Sequence, residues 1–355
     1  MKTLTLYPSA KINLGLYVFE KREDGFHEIE SIFFPVSPEN SNLVPDKLTV
    51  NICSTQSEET LFYTENYSEK VRMIECGLDY PGTPQDNICV KAYELLDADF
   101  QLPPAVIVLE KHIPVGAGLG GGSSDGICTL KALNELCNLN LTEDQLMNYA
   151  AKLGSDCPFF VRNTPMLVTG RGEILTPLTE CSSPERASCN MKETALLSST
   201  NEAEKESQIS KSLKNLMENY RVEIAFSPDC FVSTKKAYSI VPKRKKVEKL
   251  GKPSAAQPVQ TSQPLSQTDS GRIIHDSKSG ENCQYTKSST PYTALTELIT
   301  TPVETWQGKI INDFEAPVFK EFPQLQKVKN SLKEIGAPYV SMTGSGSAIY
   351  AIFKK

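Results

Sequence analysis

The stretch Pro114-Val-Gly-Ala-Gly-Leu-Gly-Gly-Gly-Ser-Ser-Asp-Gly126 decides how this chain is read, and six of its thirteen residues are glycine. It follows Ala105-Val-Ile-Val-Leu109, whose β-branched residues predict a strand. It precedes Ile127, Leu130, Leu133 and Leu136, whose spacing predicts one apolar face of a helix. Glycines between a strand and a helix let the backbone approach a ligand closely. Several N–H groups then converge, and the helix N-terminus adds partial positive charge. The combination is a cradle for phosphate; a packed glycine turn is the structural alternative. A Cβ at Gly120 or Gly121 is expected to crowd that cradle.

Two well-known phosphate loops do not fit. A Walker A loop ends in Gly-Lys-Ser/Thr, whereas Gly122 is followed by Ser123 and Ser124. Gly116, Gly118 and Gly121 meet the GxGxxG spacing of a dinucleotide fold, but that fold needs an acidic residue closing a second strand about twenty positions on. Glu135 stands near that distance within the helical pattern instead.

The 355 residues suffice for two domains. The net charge of −6 speaks against a nucleic-acid surface. Ten scattered cysteines without a Cys-x-x-Cys pair, and only His27, His112 and His275, argue against zinc and for free thiols in a reducing compartment. The N-terminus alternates as a strand does and does not read as a signal peptide. No apolar run approaches membrane-spanning length. The expectation is a soluble, cytoplasmic protein with no nucleic-acid or membrane partner.

Along the chain, Lys11 and Asn13 alternate with Ile12 and Leu14 and share one face of a strand, where solvent-facing residues are the plain reading. Asp24-Gly25 signals a turn presenting Phe26 and His27. Residues 54–84 are polar and carry no clear pattern. Asn87 reads as the N-cap of a helix from Ile88, and Thr142 with Gln145 as a capping box for a helix ending near Gly154. Asp156 then stands two residues before Pro158, as a turn or capping residue would. Residues 182–220 are charged and Ser-rich and read as an insertion, with a helical pattern at Ile209, Leu213, Leu216 and Met217. A second insert, about 243–292, opens with Lys243-Arg-Lys-Lys246 and lacks apolar periodicity. Tyr339 to Ala348 forms another Gly-rich turn between apolar runs.

The order Pro-x-x-x-Gly-Leu-Gly followed by Gly-Ser-Ser resembles the GHMP kinase superfamily. Ser9-Ala-Lys-Ile-Asn-Leu14, Gly154-Ser-Asp-Cys-Pro158 and the Gly-rich turn after Tyr339 match its further motifs in order. The likeness covers roughly residues 3–180, 221–241 and 293–353; the two inserts, and Gly126 where alanine is usual, depart from it. It implies an α+β two-domain GHMP kinase fold. Residues 1–180 would form a domain like the second domain of ribosomal protein S5, and 221–355 a ferredoxin-like domain. ATP is the implied cofactor, held by Pro114, Val115, Gly116, Ala117, Gly118, Leu119, Gly120, Gly121, Gly122, Ser123 and Ser124. Mg²⁺ accompanies it, met by Ser123 or Ser124, without a dedicated protein metal cage. Lys11 and Asp156 are the implied catalytic pair. Asn13, Phe26, His27 and Tyr238 are the implied substrate contacts, with Phe26 and Tyr238 on opposite faces of a cytosine, and Asn87 would lie near the nucleoside of ATP. The substrate is then a small molecule, a cytidine diphosphate-linked methylerythritol. A homoserine or mevalonate type of kinase, or a nucleotide-binding module without turnover, are the competing readings.

Overall fold

The computed structural model describes residues 1–53, 70–79, 82–179, 200–227, 230–244, 284–285 and 294–355. The two strands expected near the N-terminus form as β1 (Lys2–Leu6) and β2 (Ala10–Lys21), followed by β3 (His27–Val36) and β4 (Lys47–Ile52). In the segment that carried no clear pattern the structure adds β5 (Val71–Gly77), whose Val71 and Met73 turn inward while Arg72 faces out. It pairs in parallel with β6 (Ala105–Lys111), giving one sheet in the order β1-β4-β6-β5.

The crossover between β5 and β6 carries α1 (Ile88–Phe100), capped by the Asn87 side chain accepting from the Cys89 N–H. The glycine loop then leads into α2 (Gly121–Leu136). Gly126 lies on its inner face, where a Cβ would stand 2.9 Å from Ile88. That glycine therefore permits the close approach of α1 and α2. The capping box of Thr142 and Gln145 forms at the start of α3 (Glu143–Leu153), and α4 (Cys157–Arg162) follows. Strands β7 (Met166–Thr169) and β8 (Ile174–Pro177) join β2 and β3 in a second sheet, reached at its far edge by β10 (Gln284–Tyr285).

The remainder is built on a three-stranded antiparallel sheet, β11 (Tyr339–Met342), β12 (Ile349–Lys354) and β9 (Tyr220–Ala225), in that order. Around it lie α5 (Thr200–Asn219), α6 (Thr234–Ile240), α7 (Ala294–Ile299), α8 (Glu315–Glu321) and α9 (Pro323–Glu334). The α+β class is the one expected.

The second half of the stretch expected as an insertion, 182–220, carries α5. Ile209, Leu213 and Leu216 of α5 are fully buried, in one cluster with Val222, Ile224 and Leu295. Burying each contributes about 1.5–3 kcal/mol, so this helix is part of the core. Its charged remainder faces water, which is why its composition reads as an appendage. Residues 180–199, and nearly all of the second insert, lie outside the described residues. Arg244 of the basic run is docked: its guanidinium forks onto Asp313 at 2.7 and 2.8 Å and lies 3.8 Å over the Tyr17 ring.

The two halves share their packing. Ile12, Leu14, Ile32 and Phe34 of β2 and β3 belong to the same buried cluster as Trp306, Tyr339 and Tyr350. Leu16 pairs with Asn312, and the Tyr350 hydroxyl donates to the Asn13 carbonyl at 2.7 Å.

Candidate active site

Three segments meet under the glycine loop, and each does so for a local reason. In β2 the alternation places Lys11 and Asn13 on one face, but that face is covered: the two residues are 3% and 2% exposed. The Lys11 amide donates to the Leu119 carbonyl of the loop at 2.9 Å. Its Nζ donates to Asn13 Oδ1 at 2.8 Å, stands 3.4 Å from Asp156 Oδ2, and lies 4.5 Å over the Phe33 ring. Asp156 occupies the cap position of α4 yet makes no capping bond. Its carboxylate points to Lys11 and keeps 37% of its side-chain surface open. Neither the solvent-facing reading of Lys11 nor the capping reading of Asp156 holds.

The loop itself is fixed from both ends. Gly116, Gly118 and Gly120 have φ of 73°, 81° and 71°, a region that costs other residues about 1–2 kcal/mol. Ala117 and Leu119 turn into the core, so among the loop residues named above these two offer a ligand only their backbone. A Cβ on Gly118 would overlap the Thr343 carbonyl, because the second Gly-rich turn is pressed against the loop here. The crowding expected at Gly120 and Gly121 falls elsewhere. A Cβ there would meet Phe160 at 2.9 Å or Ile113 at 2.8 Å, on the protein side. Gly122 alone of the triple glycine faces open space. Beneath the loop, Lys111 bridges Asp46 and Asp125, all at most 2% exposed. Asp46 also accepts from the amides of His112 and Ile113, the latter at 2.8 Å. Burial pushes the Asp125 carboxyl well above the usual carboxylate range, against the pull of Lys111. On Lys111 the two carboxylates outweigh burial and raise its pKa.

A cavity of about 170 Å³ is lined by Lys11, Asn13, Asp156, Tyr238, Gly116, Gly118 and Gly344 among others. Tyr238 stacks on His27, ring centroids 5.8 Å apart at 12°, and meets Phe314 edge-on. Burial, then the charge of Asp156, pushes its hydroxyl up to about 12, so the phenol stays protonated. His27 Nδ1 lies 3.1 Å from the Phe19 carbonyl. The expected sandwich of Phe26 and Tyr238 is not formed. Phe26, 55% exposed, lies under the Arg171 guanidinium at 4.9 Å in a separate cavity with Gly154, Ser155, Pro158 and Glu173. The hairpin turn places Phe26 on the opposite side from His27, and it is His27 that stacks on one face of Tyr238.

A larger, mainly apolar cavity of about 700 Å³ opens on the other flank of the loop, lined by Pro114, Val115, Leu78, Phe226 and Phe231. Phe231 is 68% exposed there. Sequence reasoning missed this cavity and also Asp46, Lys111, Asp125, Ser31 and Thr343. A lysine whose side chain alternates inward with Ala105, Ile107 and Leu109 on its strand is a signal for Lys111, and Thr343 lies in the second Gly-rich turn; the other residues carry none in their local sequence. Among the described residues there is no cluster of three or more His, Cys, Asp or Glu side chains that could hold a metal, and no helix is long and apolar enough to cross a membrane.

Comparison with known proteins follows this geometry. Residues 87–164 match the family model of the GHMP kinases N terminal domain, and residues 302–355 that of the GHMP kinases C terminal domain. A 4-diphosphocytidyl-2-C-methyl-D-erythritol kinase of Bacteroides thetaiotaomicron is 35% identical over 98% of this chain and 91% of its own. A protein of the same name from Bacteroides fragilis is 33% identical with the same coverage. A crystal structure of a 4-(cytidine 5'-diphospho)-2C-methyl-D-erythritol kinase superposes with a TM-score of 0.58 at 25% identity, covering 98% of this chain and 89% of that one.

Proposed function

The chain belongs to the 4-diphosphocytidyl-2-C-methyl-D-erythritol kinases of the GHMP kinase superfamily, and from that premise we propose how its residues divide the work. The reaction is transfer of the γ-phosphoryl group of ATP to the 2-hydroxyl of 4-diphosphocytidyl-2-C-methyl-D-erythritol, in the non-mevalonate route to isopentenyl diphosphate.

The observation that carries the assignment of roles is the buried Lys11 ammonium 3.4 Å from the half-open Asp156 carboxylate, at the edge of a cavity bounded by the glycine loop. Phosphoryl transfer asks the protein for positioning and charge stabilisation. The loop amides and the N-terminus of α2 hold the phosphates. Asp156 accepts the proton of the attacking hydroxyl, and Lys11 polarises that hydroxyl. Adenine enters the apolar cavity beside Phe226 and Phe231, where a flat ring replaces water on aromatic surface. His27 and Tyr238 receive the cytosine end, with Tyr238 offering a ring face.

Mg²⁺ bound to ATP phosphates keeps most of its water and needs only one or two protein oxygens. The donor set here fits such an ion through the Ser123 hydroxyl in the first turn of α2, since Ser124 is 2% exposed, and among the described residues no carboxylate cage stands beside it. Bound there, the ion would neutralise phosphate charge.

The test is ATP consumption with the cytidine-linked substrate, homoserine, mevalonate and free methylerythritol compared at equal concentration. Turnover with the first alone is expected. Equal turnover with free methylerythritol would overturn the cytosine assignment and leave an unspecialised kinase of the superfamily.

A further inference from the structure

The catalytic lysine is aimed by buried hydroxyl groups. We infer that Ser31 and Thr343 are positioning residues that hold the Asn13 amide in the one orientation able to accept from Lys11. This rests on the role given to Lys11 above.

Ser31 Oγ donates to the Gly15 carbonyl at 2.6 Å. A hydroxyl has one proton to donate, so at its 2.8 Å contact with the Asn13 amide Ser31 accepts, and the group facing it is Nδ2. The Asn13 Oδ1 is thereby turned the other way, to Lys11 Nζ at 2.8 Å and Thr343 Oγ1 at 3.1 Å. Thr343 Oγ1 accepts from the Asn13 backbone N–H at 3.1 Å and also lies 3.2 Å from the Gly118 carbonyl. Were the amide reversed, its NH₂ would face the Lys11 ammonium and its Oδ1 would face Ser31, whose one proton is already given to Gly15, with no water to relieve either. Asn13, Ser31 and Thr343 are all at most 2% exposed. The Gly15 carbonyl is available because β2 bulges there: the register with β3 slips between Leu14 and Leu16, and Gly15 has a φ of 72°. A chain of bonds therefore runs from the bulge through Ser31 and Asn13 to Lys11 and Asp156. Thr343 ties it to the second Gly-rich turn and the phosphate loop.

The experiment is a double-mutant cycle. Ser31→Ala is expected to lower kcat about 10–100-fold, the scale of a catalytic group displaced by a fraction of an ångström to an ångström, with little change in KM for ATP. Lys11→Met lowers kcat further, and in that background Ser31→Ala should have almost no additional effect, since there is no ammonium left to aim. Thr343→Val, which matches threonine in shape, should couple to Lys11→Met in the same way, and it answers the question if Ser31→Ala does not fold. Thr343→Ser and Ser31→Thr restore the hydroxyl and should restore kcat. Losses that multiply independently of Lys11 would overturn the inference, because a merely structural hydroxyl costs the same with or without the lysine. Full activity of Lys11→Met would overturn both this inference and the catalytic role of Lys11. An inactive Lys11→Met beside an unaffected Ser31→Ala would overturn this inference alone.

Discussion

Two glycines four residues apart in the loop should respond to alanine with opposite signs. At Gly118 φ is 81°, and an added Cβ would overlap the Thr343 carbonyl oxygen, stand 3.0 Å from its carbon and 3.4 Å from Gly344. These are backbone atoms of a turn tied by Asn312 Nδ2 to the carbonyls of Met342 and Gly344 at 2.8 Å each, so no side chain can swing away. Left-handed backbone costs an alanine about 1–2 kcal/mol, and forcing atoms into a packed site about 1–3 kcal/mol. Gly118→Ala should therefore lose about 3 kcal/mol. For a chain of this size that is a fall in Tm of roughly 4 °C, together with a raised KM for ATP as the loop is pushed off the turn. At Gly122 nothing lies within 4 Å of the added atom and the backbone is helical. Gly122→Ala should gain about 0.4–1 kcal/mol in stability, while its methyl projects into the open side of the loop and weakens ATP binding. Calorimetric melting with and without ATP, alongside KM for ATP, reads both effects. A Gly118→Ala protein melting with the wild type would refute the close packing of loop and turn. A Gly122→Ala protein with unchanged ATP affinity would refute the placement of phosphates on that side.

Asp156→Asn should cut kcat by about 10²–10⁴-fold while ATP still binds by titration calorimetry; near-normal turnover would reduce Asp156 to a turn residue. Tyr238→Ala should raise KM for the cytidine substrate by about tenfold or more, given that stacking on an aromatic is worth about 1–3 kcal/mol per base, and should leave KM for ATP nearly unchanged. Asp125→Asn has a worked pH dependence. A carboxyl raised in the folded state binds a proton that the unfolded chain releases near pH 4, so its ionisation lowers stability as pH rises above that value. The variant's stability relative to the wild type should therefore improve between about pH 4 and 7 in urea melts; a constant offset would show that Asp125 does not titrate in this window. Burial pushes the thiols of Cys128 and Cys157 up to about 12, so at pH 8 neither should react with a maleimide in the folded protein, whereas the exposed Cys76 should.

The elements that depend on local chemistry were legible in the chain. Asn87 and the Thr142–Gln145 pair cap their helices by bonds spanning two or three residues. The strand–loop–helix around Gly116 to Gly122 follows from β-branching, glycine and apolar spacing, and Lys11 and Asn13 share a face because a strand alternates. What tertiary structure alone decided is which face is covered and what lies across from it. Lys11 and Asp156 are brought together from distant positions, and only their contact turns a surface-like lysine and a cap-like aspartate into a pair. The helix at 200–219 has three core residues in a charged sequence, and its membership of the core depends on β9 and α7 meeting that one stripe. Phe26 and His27 are neighbours in sequence yet one lies under Arg171 and the other stacks on Tyr238, because the hairpin sends successive side chains to opposite sides. The hydroxyls of Ser31 and Thr343 acquire a role only when folding removes the water that would otherwise satisfy the Asn13 amide in either orientation.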